Sequence, residues 1–486
     1  MKKQILIYLV AAMSIPVISI HSYAQVVINE FSCSNLSQFV DDHSDYGDWI
    51  ELFNTTSSSV NIGGYYLSDD SLNLTKWQFP PSAALAGNGF LRIWASGRNQ
   101  TTGVFHTNFT LKQTKNNGEY VIFSDPSGAI ADYRFISPRT QLGHSVGRVT
   151  NGSATWVVFT NPTPNASNNT AAPYSGYAKK PNFSVAPGFY PSSISVIITT
   201  NEPSADIRYT TDGTLPTASS TLYTGPISIT TTKTLKAITI SSNSFVLPSM
   251  IEFSTYFINV THTVPVVSIT GSQLTTLANG NSSLRPHGTF EYFDLTGARK
   301  ATTYGEFNSH GQDSWANAHR SLDFVSRDEM GYNHSVEHQL FHTSPRDNYQ
   351  RVILRAAGDD NYPTNTNWKS TAAHMRDAYL HNLCLSGNMK VDVRRAAKCV
   401  AYLNGTFWGV YDLRDNPDDH DNTKYYYGQD KYHLYFLETW GNTWAEYGGP
   451  AAFAEYDALV NFIMTNNMAV PSNYQYVYDR LEVESL

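Results

Sequence analysis

"AKCVAYLNGTFWGVYDLRD", residues Ala397 to Asp415, reads as two strands folded about a two-residue turn. Asn404-Gly405 is the preferred pair for a type I′ hairpin, because both central positions need positive φ. The second strand is aromatic-rich and ends on Asp412, Arg414 and Asp415. Charges at one strand end admit two readings, a solvated hairpin end or a reactive cleft. Upstream, "RVILRAAGDD" supplies a strand and "HMRDAYLHNL" a helix, on which Met375, Tyr379 and Leu383 share an apolar face at i, i+4, i+8 spacing. Downstream, "YHLYFLET" reads as a buried strand and "FAEYDALVNFIMTNN" as a second amphipathic helix. Residues 262–486 are therefore expected to be α+β, an antiparallel sheet carrying helices.

The two segments before it are all β. "VVINEF", "GDWIELFN", "VNIGGYYLSDD", "LAGNGFLRIWASG", "EYVIFSD" and "ATWVVFT" are short strands separated by turn signals, which indicates a β-sandwich over 26–165. The first four, in this order, resemble the lamin-tail domain family, an immunoglobulin-like sandwich that implies no activity of its own. Within it, "DDHSDYGDW" gathers Asp41, Asp42, Asp45 and Asp48, but not at EF-hand spacing, so a solvated acidic loop is favoured over a calcium site. "AAPYSGYAKKP" reads as a linker, and the first protease cut is expected between Asn165 and Lys180. Residues 175–258 form a second run of strands. Their "IRYTTDGTLPTASSTLYTGPISITTTKTLKAITI" resembles the C-terminal sandwich domain of chitobiase and β-hexosaminidase. Asp212 is expected to shape a turn. Glycoside hydrolysis needs two positioned carboxyls, and this module offers no such pair. Tyr190, Tyr209 and Tyr223 are the candidates for a glycan platform, with core packing favoured.

"MKKQILIYLVAAMSIPVISIHSYAQ" has a basic start, an apolar run and a small-x-small site, the three parts of a secretory leader cleaved after Ala24. No later stretch is expected to cross a membrane, and a secreted or cell-surface location follows. The formal charge is −8, with no basic stripe, so nucleic acid is excluded as a partner; extracellular proteins or glycans remain. Cys33, Cys384 and Cys399 are too few for a disulfide framework. Cys384 and Cys399 either pair or stay as two separate thiols.

"HGQDSWANAHRSLDF", "RVILRAAGDD", "HMRDAYLHNL" and "YLNGTFWGVYDLRD" resemble, in this order, the spore-coat CotH kinase family, a secreted branch of the protein-kinase fold. The resemblance implies ATP and magnesium as cofactors. It also implies that Arg320 contacts nucleotide phosphates, where many members carry Lys, and that Asp415, where Glu is usual, pairs with that cation or helps organise metal. The two side chains are then expected to converge on one cleft. The family's later Asp-Trp-x-x-Asn-Asn-like motif, which supplies the catalytic acid and the metal-binding Asn, does not occur before "VYDRLEVESL". Phosphoryl transfer depends on positioning and on metal neutralisation of phosphate charge, so no turnover is expected. The fold expectation is two all-β immunoglobulin-like sandwiches followed by an α+β kinase-like domain that is incomplete at its C-terminus.

Other clusters have plainer readings. His334, His338 and His342 would share a helical face as a metal site, but Ser335 and Val336 weaken a helix there, so a solvated or partly buried His cluster is favoured. Asp359 and Asp360 suit a turn or a helix start. "DNPDDHDN" reads as a solvated acidic loop.

Overall fold

A computed structural model describes residues 25–311, 315, 317–360 and 372–482. The leader expected from the sequence lies outside these residues. The chain is mostly β, and its sheets assort into three units.

In the first unit, strands Val26–Ser32 and Asp48–Asn54 are interior neighbours in a six-stranded sheet. A four-stranded sheet built on Tyr66–Ser68 and Tyr120–Ser124 contributes to the same core, which holds Ile28, Phe31, Ile50, Leu52, Leu67, Phe79 and Phe123. A register shift between Ile28 and Glu30 breaks the strict alternation of the first strand. The extra residue lets Ile28 and Phe31 both reach this core, and leaves Asn29 and Glu30 on the far side. There the polar groups are buried too. Asn29 donates to Glu51 (3.0 Å), while Thr163 and Ser145 hydroxyls donate to Glu30 (2.6 and 2.5 Å). The Asn165 amide donates to Glu51 (2.5 Å).

The segment over this polar face is the expected linker, and it is pinned on both sides. Asn168 is fully buried; its amide donates to the Arg148 carbonyl (2.8 Å) and its Oδ1 accepts from Asn29 (3.1 Å). Pro173–Tyr174 pairs with the first unit, and Gly176–Tyr177 pairs in parallel with Val246–Leu247 of the second. The Tyr177 hydroxyl also meets Nδ1 of His144 at 2.7 Å. The expected linker therefore carries two short strand pairings, at Pro173–Tyr174 and Gly176–Tyr177, with the buried Asn168 just before them. Asn168→Ala leaves buried partners unpaired and is expected to cost about 2–3 kcal/mol. The check is limited proteolysis: an early cut between 163 and 172 should appear in the variant and be absent in the parent.

The second unit centres on Lys233–Ser241 and Glu252–Ile258, with Val196, Ile198, Leu235, Ala237 and Tyr256 in its core. Glu252–Ile258 is buried on both faces: Tyr256 packs inward, while Phe257 meets Phe293 and Tyr402 of the third unit. Asp212 shapes a turn by accepting from the Thr214 amide (3.0 Å) and hydroxyl (2.6 Å). The Gly213 carbonyl of that turn and the Thr270 carbonyl of the third unit both accept from the fully buried Lys236 ammonium (2.8 and 3.2 Å). Burial lowers the Lys236 pKa to about 7.

The third unit is a closed seven-stranded barrel. Its strands are β1 (Val266–Thr270), β2 (His287–Phe293), β3 (Arg299–His310), β4 (Ser321–Ser326), β5 (Arg351–Arg355), β6 (Ala396–Leu403) and β7 (Thr406–Arg414). The order around the barrel is β1-β2-β3-β4-β5-β7-β6, closed by a parallel β6–β1 joint. The sequence reading as an antiparallel sheet carrying helices is corrected here: the sheet closes on itself and one joint is parallel. Ile269, Phe290, Phe307, Leu322, Phe324, Val352, Leu354, Cys399, Tyr411 and Leu413 fill the core. The β6–β7 hairpin turns at Asn404-Gly405 with φ of 51° and 78°, both positive as the I′ reading requires.

Around the barrel lie α1 (Leu274–Ala278), α2 (Arg376–Ser386), α3 (His420–Tyr427), α4 (Gly449–Thr465) and α5 (Pro471–Tyr478). The α2 apolar face does not pack inward: Met375, Tyr379 and Leu383 are exposed, and Ala378 is the buried residue of the helix. "YHLYFLET" is not a buried strand either. Phe436–Trp440 pairs with Asn442–Tyr447 in a two-stranded hairpin, and Trp440 is 64 % exposed. Residues 334–342 form no helix, so the three histidines do not share a helical face. Cys33, Cys384 and Cys399 are free thiols.

Candidate functional site

Alternate residues of β4, β5 and β7 face opposite ways. Leu322, Phe324, Val352, Leu354, Tyr411 and Leu413 enter the core, which turns Asp323, Arg351, Arg355, Asp412 and Arg414 outward. In register, Asp323 stands beside Asn308 on one side and Ile353 on the other, and Arg355 stands beside Asp412. The barrel therefore carries a lattice of opposite charges on one outer face.

Each carboxylate of that lattice has a named partner. Asp323 receives Arg351 Nε at 3.0 Å, and the same guanidinium reaches Asp419 at 3.0 Å. Arg414, 1 % exposed, spans Asp412 (3.1 Å) and Asp377 of α2 (2.5 Å). Lys398 closes on Asp412 at 2.7 Å. Arg394 pairs with Asp418, and Arg346 with Asp421. The "DNPDDHDN" run is thus not a solvated loop, because its aspartates complete this lattice. Asp360 caps α2 by accepting from the Ala373, Met375 and Arg376 amides (2.7, 2.8 and 2.9 Å). Burial would raise its pKa, but these amides more than offset that and hold it below the ordinary value.

Arg355 is paired more loosely than its neighbours. Its Nε has no hydrogen-bond partner and lies 3.6 Å from the shared Asp377. Burial, offset in part by Asp377, and the neighbouring Arg414 and Arg394 lower its pKa. Nearby His310 is pushed down to about 3, first by burial and then by Arg355, Arg394, Arg351 and Arg414, so it is neutral at pH 7. A partly exposed guanidinium crowded by cations, with its nearest carboxylate shared with Arg414, is a place where an anion lowers the energy. Arginine suits phosphate in particular, because its planar fork can bond two oxygens at once.

The two residues singled out by sequence stand apart from each other. Arg320 sits beside α1 and donates to the carbonyls of Trp315 (3.0 Å), Ala278 (3.4 Å) and Ala318 (3.3 Å). Asp415 is fully buried and accepts from Arg395, at 2.6 Å from the amide and 3.2 Å from the guanidinium. Burial raises its pKa against the lowering effect of Arg395. β4 and β7 both run antiparallel to β5 and hence in the same direction. Arg320 precedes β4 and Asp415 follows β7, so they lie at opposite ends of the barrel wall and do not converge. The sequence reasoning missed Arg351, Arg355, Asp323 and Asp377. A signal existed: "RVILR" and "DLR" place charges at every second or fourth position around core residues, the pattern of a strand with one charged face. Tyr190, Tyr209 and Tyr223 pack against the second core, which accounts for them without a glycan.

Two family models match the chain: Lamin Tail Domain over residues 20–137, and Chitobiase/beta-hexosaminidase C-terminal domain over residues 185–245. The chain carries a lamin tail domain and a chitobiase-type C-terminal domain. The barrel and its arginine–aspartate face lie outside both matches. No curated protein matches the chain. Among the described residues, no helix is long and apolar enough to cross a membrane.

Proposed function

We propose that the barrel is a CotH-type, kinase-related module of a secreted or surface protein, and that it holds a nucleotide phosphate at Arg355 without transferring it. The loosely paired Arg355 guanidinium, set beside Arg394 and Arg414, carries this reading. Magnesium would serve as counter-ion to the phosphates, as the family resemblance implies. The reading moves the phosphate contact from Arg320, whose Nε and Nη1 already donate to carbonyls, to the outer face. The lamin tail and chitobiase-type domains act as the rigid support that presents this face.

Calorimetric titration of the tag-free chain with magnesium ATP tests the proposal. Saturable binding that weakens as salt rises is expected, because charge–charge attraction is screened. Arg355→Ala should weaken it by about 10-fold or more, the scale of one lost charge-assisted contact, and Arg320→Ala should leave it within about 2-fold. Binding indifferent to Arg355→Ala would overturn the assignment. Radiolabelled ATP should leave both the chain and added acceptor proteins unlabelled; labelling would return the module to the active kinases.

A further inference from the structure

Two loops of the lamin tail domain bring together side chains that the phosphate face does not use. Asp42, His43 and His106 each offer one ligand atom, and these atoms all lie within 4.8 Å of one another. His106 is fully buried, and both of its ring nitrogens face polar side chains. Its Nε2 lies 2.7 Å from Asp42 Oδ1, and its Nδ1 lies 2.9 Å from Ser96 Oγ. His43 stands edge-on to that ring, with centroids 5.3 Å apart. Gln100 bridges the exposed pair: its Oε1 is 3.0 Å from His43 Nε2, and its Nε2 is 3.3 Å from Asp42 Oδ2.

An ordinary Asp–His hydrogen bond explains the 2.7 Å contact but not two further features. His43, next in the chain, turns its ring to the same spot. Asp41, whose side chain is fully buried, keeps Oδ2 without a hydrogen bond, 3.9 Å from His106 Nδ1 and from Arg98 Nε. That oxygen adds negative potential beside the imidazole. Two imidazoles and a carboxylate suit a borderline divalent cation better than calcium, which prefers oxygen alone. A serine oxygen at the second ring nitrogen is the outer partner that fixes which nitrogen binds.

We propose that Asp42, His43 and His106 bind a divalent transition-metal ion of the zinc class, with Ser96 orienting His106 and the fourth position left to water or to the Gln100 amide. The site has a second effect. The Ser96 carbonyl accepts from the Tyr432 hydroxyl (2.9 Å), and Arg98 lies 4.9 Å from the centre of the Tyr432 ring. A bound ion therefore stiffens the loop on which the third unit rests.

Zinc chloride titrated into the EDTA-stripped, tag-free full chain tests this, with calorimetry and elemental analysis as readouts. One equivalent is expected. Cobalt in place of zinc should give visible absorption of a four-coordinate ion. His43→Ala changes an exposed side chain and Asp42→Asn keeps an oxygen for the buried His106, so both should still unfold cooperatively in EDTA. Each should weaken zinc binding by at least about 10-fold, as should Ser96→Ala, since loss of even an outer partner costs that much. No binding below millimolar zinc, or one equivalent retained in both His43→Ala and Asp42→Asn, would overturn the site.

Discussion

Arg414→Ala should unfold the barrel about 3 kcal/mol more easily than the parent, near the lower end for removing one partner of a buried ion pair. Arg414 is the hub of the outer lattice, joining Asp412 on its own strand to Asp377 on α2. Without it, Asp412, itself 1 % exposed, keeps its ion pair with Lys398, and Asp377 of α2 loses its shortest ion pair to the barrel. α2 presents Met375, Tyr379 and Leu383 to solvent, so its remaining ties are polar: the Asp360 cap at its start and the looser Arg355–Asp377 contact. The measurable result is a midpoint shift in denaturant, or a fall in melting temperature on the order of 10 °C at 2–4 °C per kcal/mol. Arg414→Lys should recover part of the loss, because it restores charge but not the fork. A fall under about 1 kcal/mol for the alanine variant would mean that the lattice is surface decoration.

The second large effect is on pH. Burial raises the Glu51 carboxyl to about 8, with Glu30 beside it adding to the shift against the Asn29 hydrogen bond. Glu30 is raised as well, again by burial. A group with a raised folded pKa holds its proton in the folded state after the unfolded chain has lost it. Its contribution is complete below about pH 4.5 and is lost as pH rises towards 8. Across that window each such group removes up to about 1.4 kcal/mol per pH unit. The lamin tail domain should therefore melt several degrees lower at pH 8.5 than at pH 5.5, opposite to a protein held by ordinary salt bridges. Glu51→Gln should flatten the profile, with its greatest relative gain at alkaline pH. A profile of the same slope in the variant would locate the titrating group elsewhere. Lys236 acts in the other direction between pH 7 and 10.5, since its folded pKa is lowered, so the parent-minus-variant difference is the quantity to read.

Local chemistry made part of this legible in advance. The Asn404-Gly405 turn, the Asp212 turn and the short strands of both sandwiches depend on neighbours in sequence, and they appear where the residues indicate. Barrel closure was not legible, because β1 meets β6 through pairs such as Val266 with Val400, which no local period reveals. The apolar spacing on α2 is real, but a period says which residues share a face and not what that face meets. The "DNPDDHDN" aspartates look solvated in one dimension because their arginines come from Arg346, Arg351, Arg394 and Arg395, on other segments. Arg320 and Asp415 lie close to the motif that suggested them, yet strand direction sends them to opposite ends.

The parallel joint between β1 and β6 has a kinetic corollary. β1 leaves the ribosome early, yet its second edge stays open until residues near 400 have been made. Until then the two-sided strand Glu252–Ile258 also lacks the Tyr402 ring that covers Phe257. Non-local pairing of this kind slows folding, because loop closure must precede the contacts that reward it. Refolding should accordingly show a slow phase in which the second unit's Phe257 side and the barrel mature together, and nascent chains released before residue 400 should be prone to edge-to-edge association.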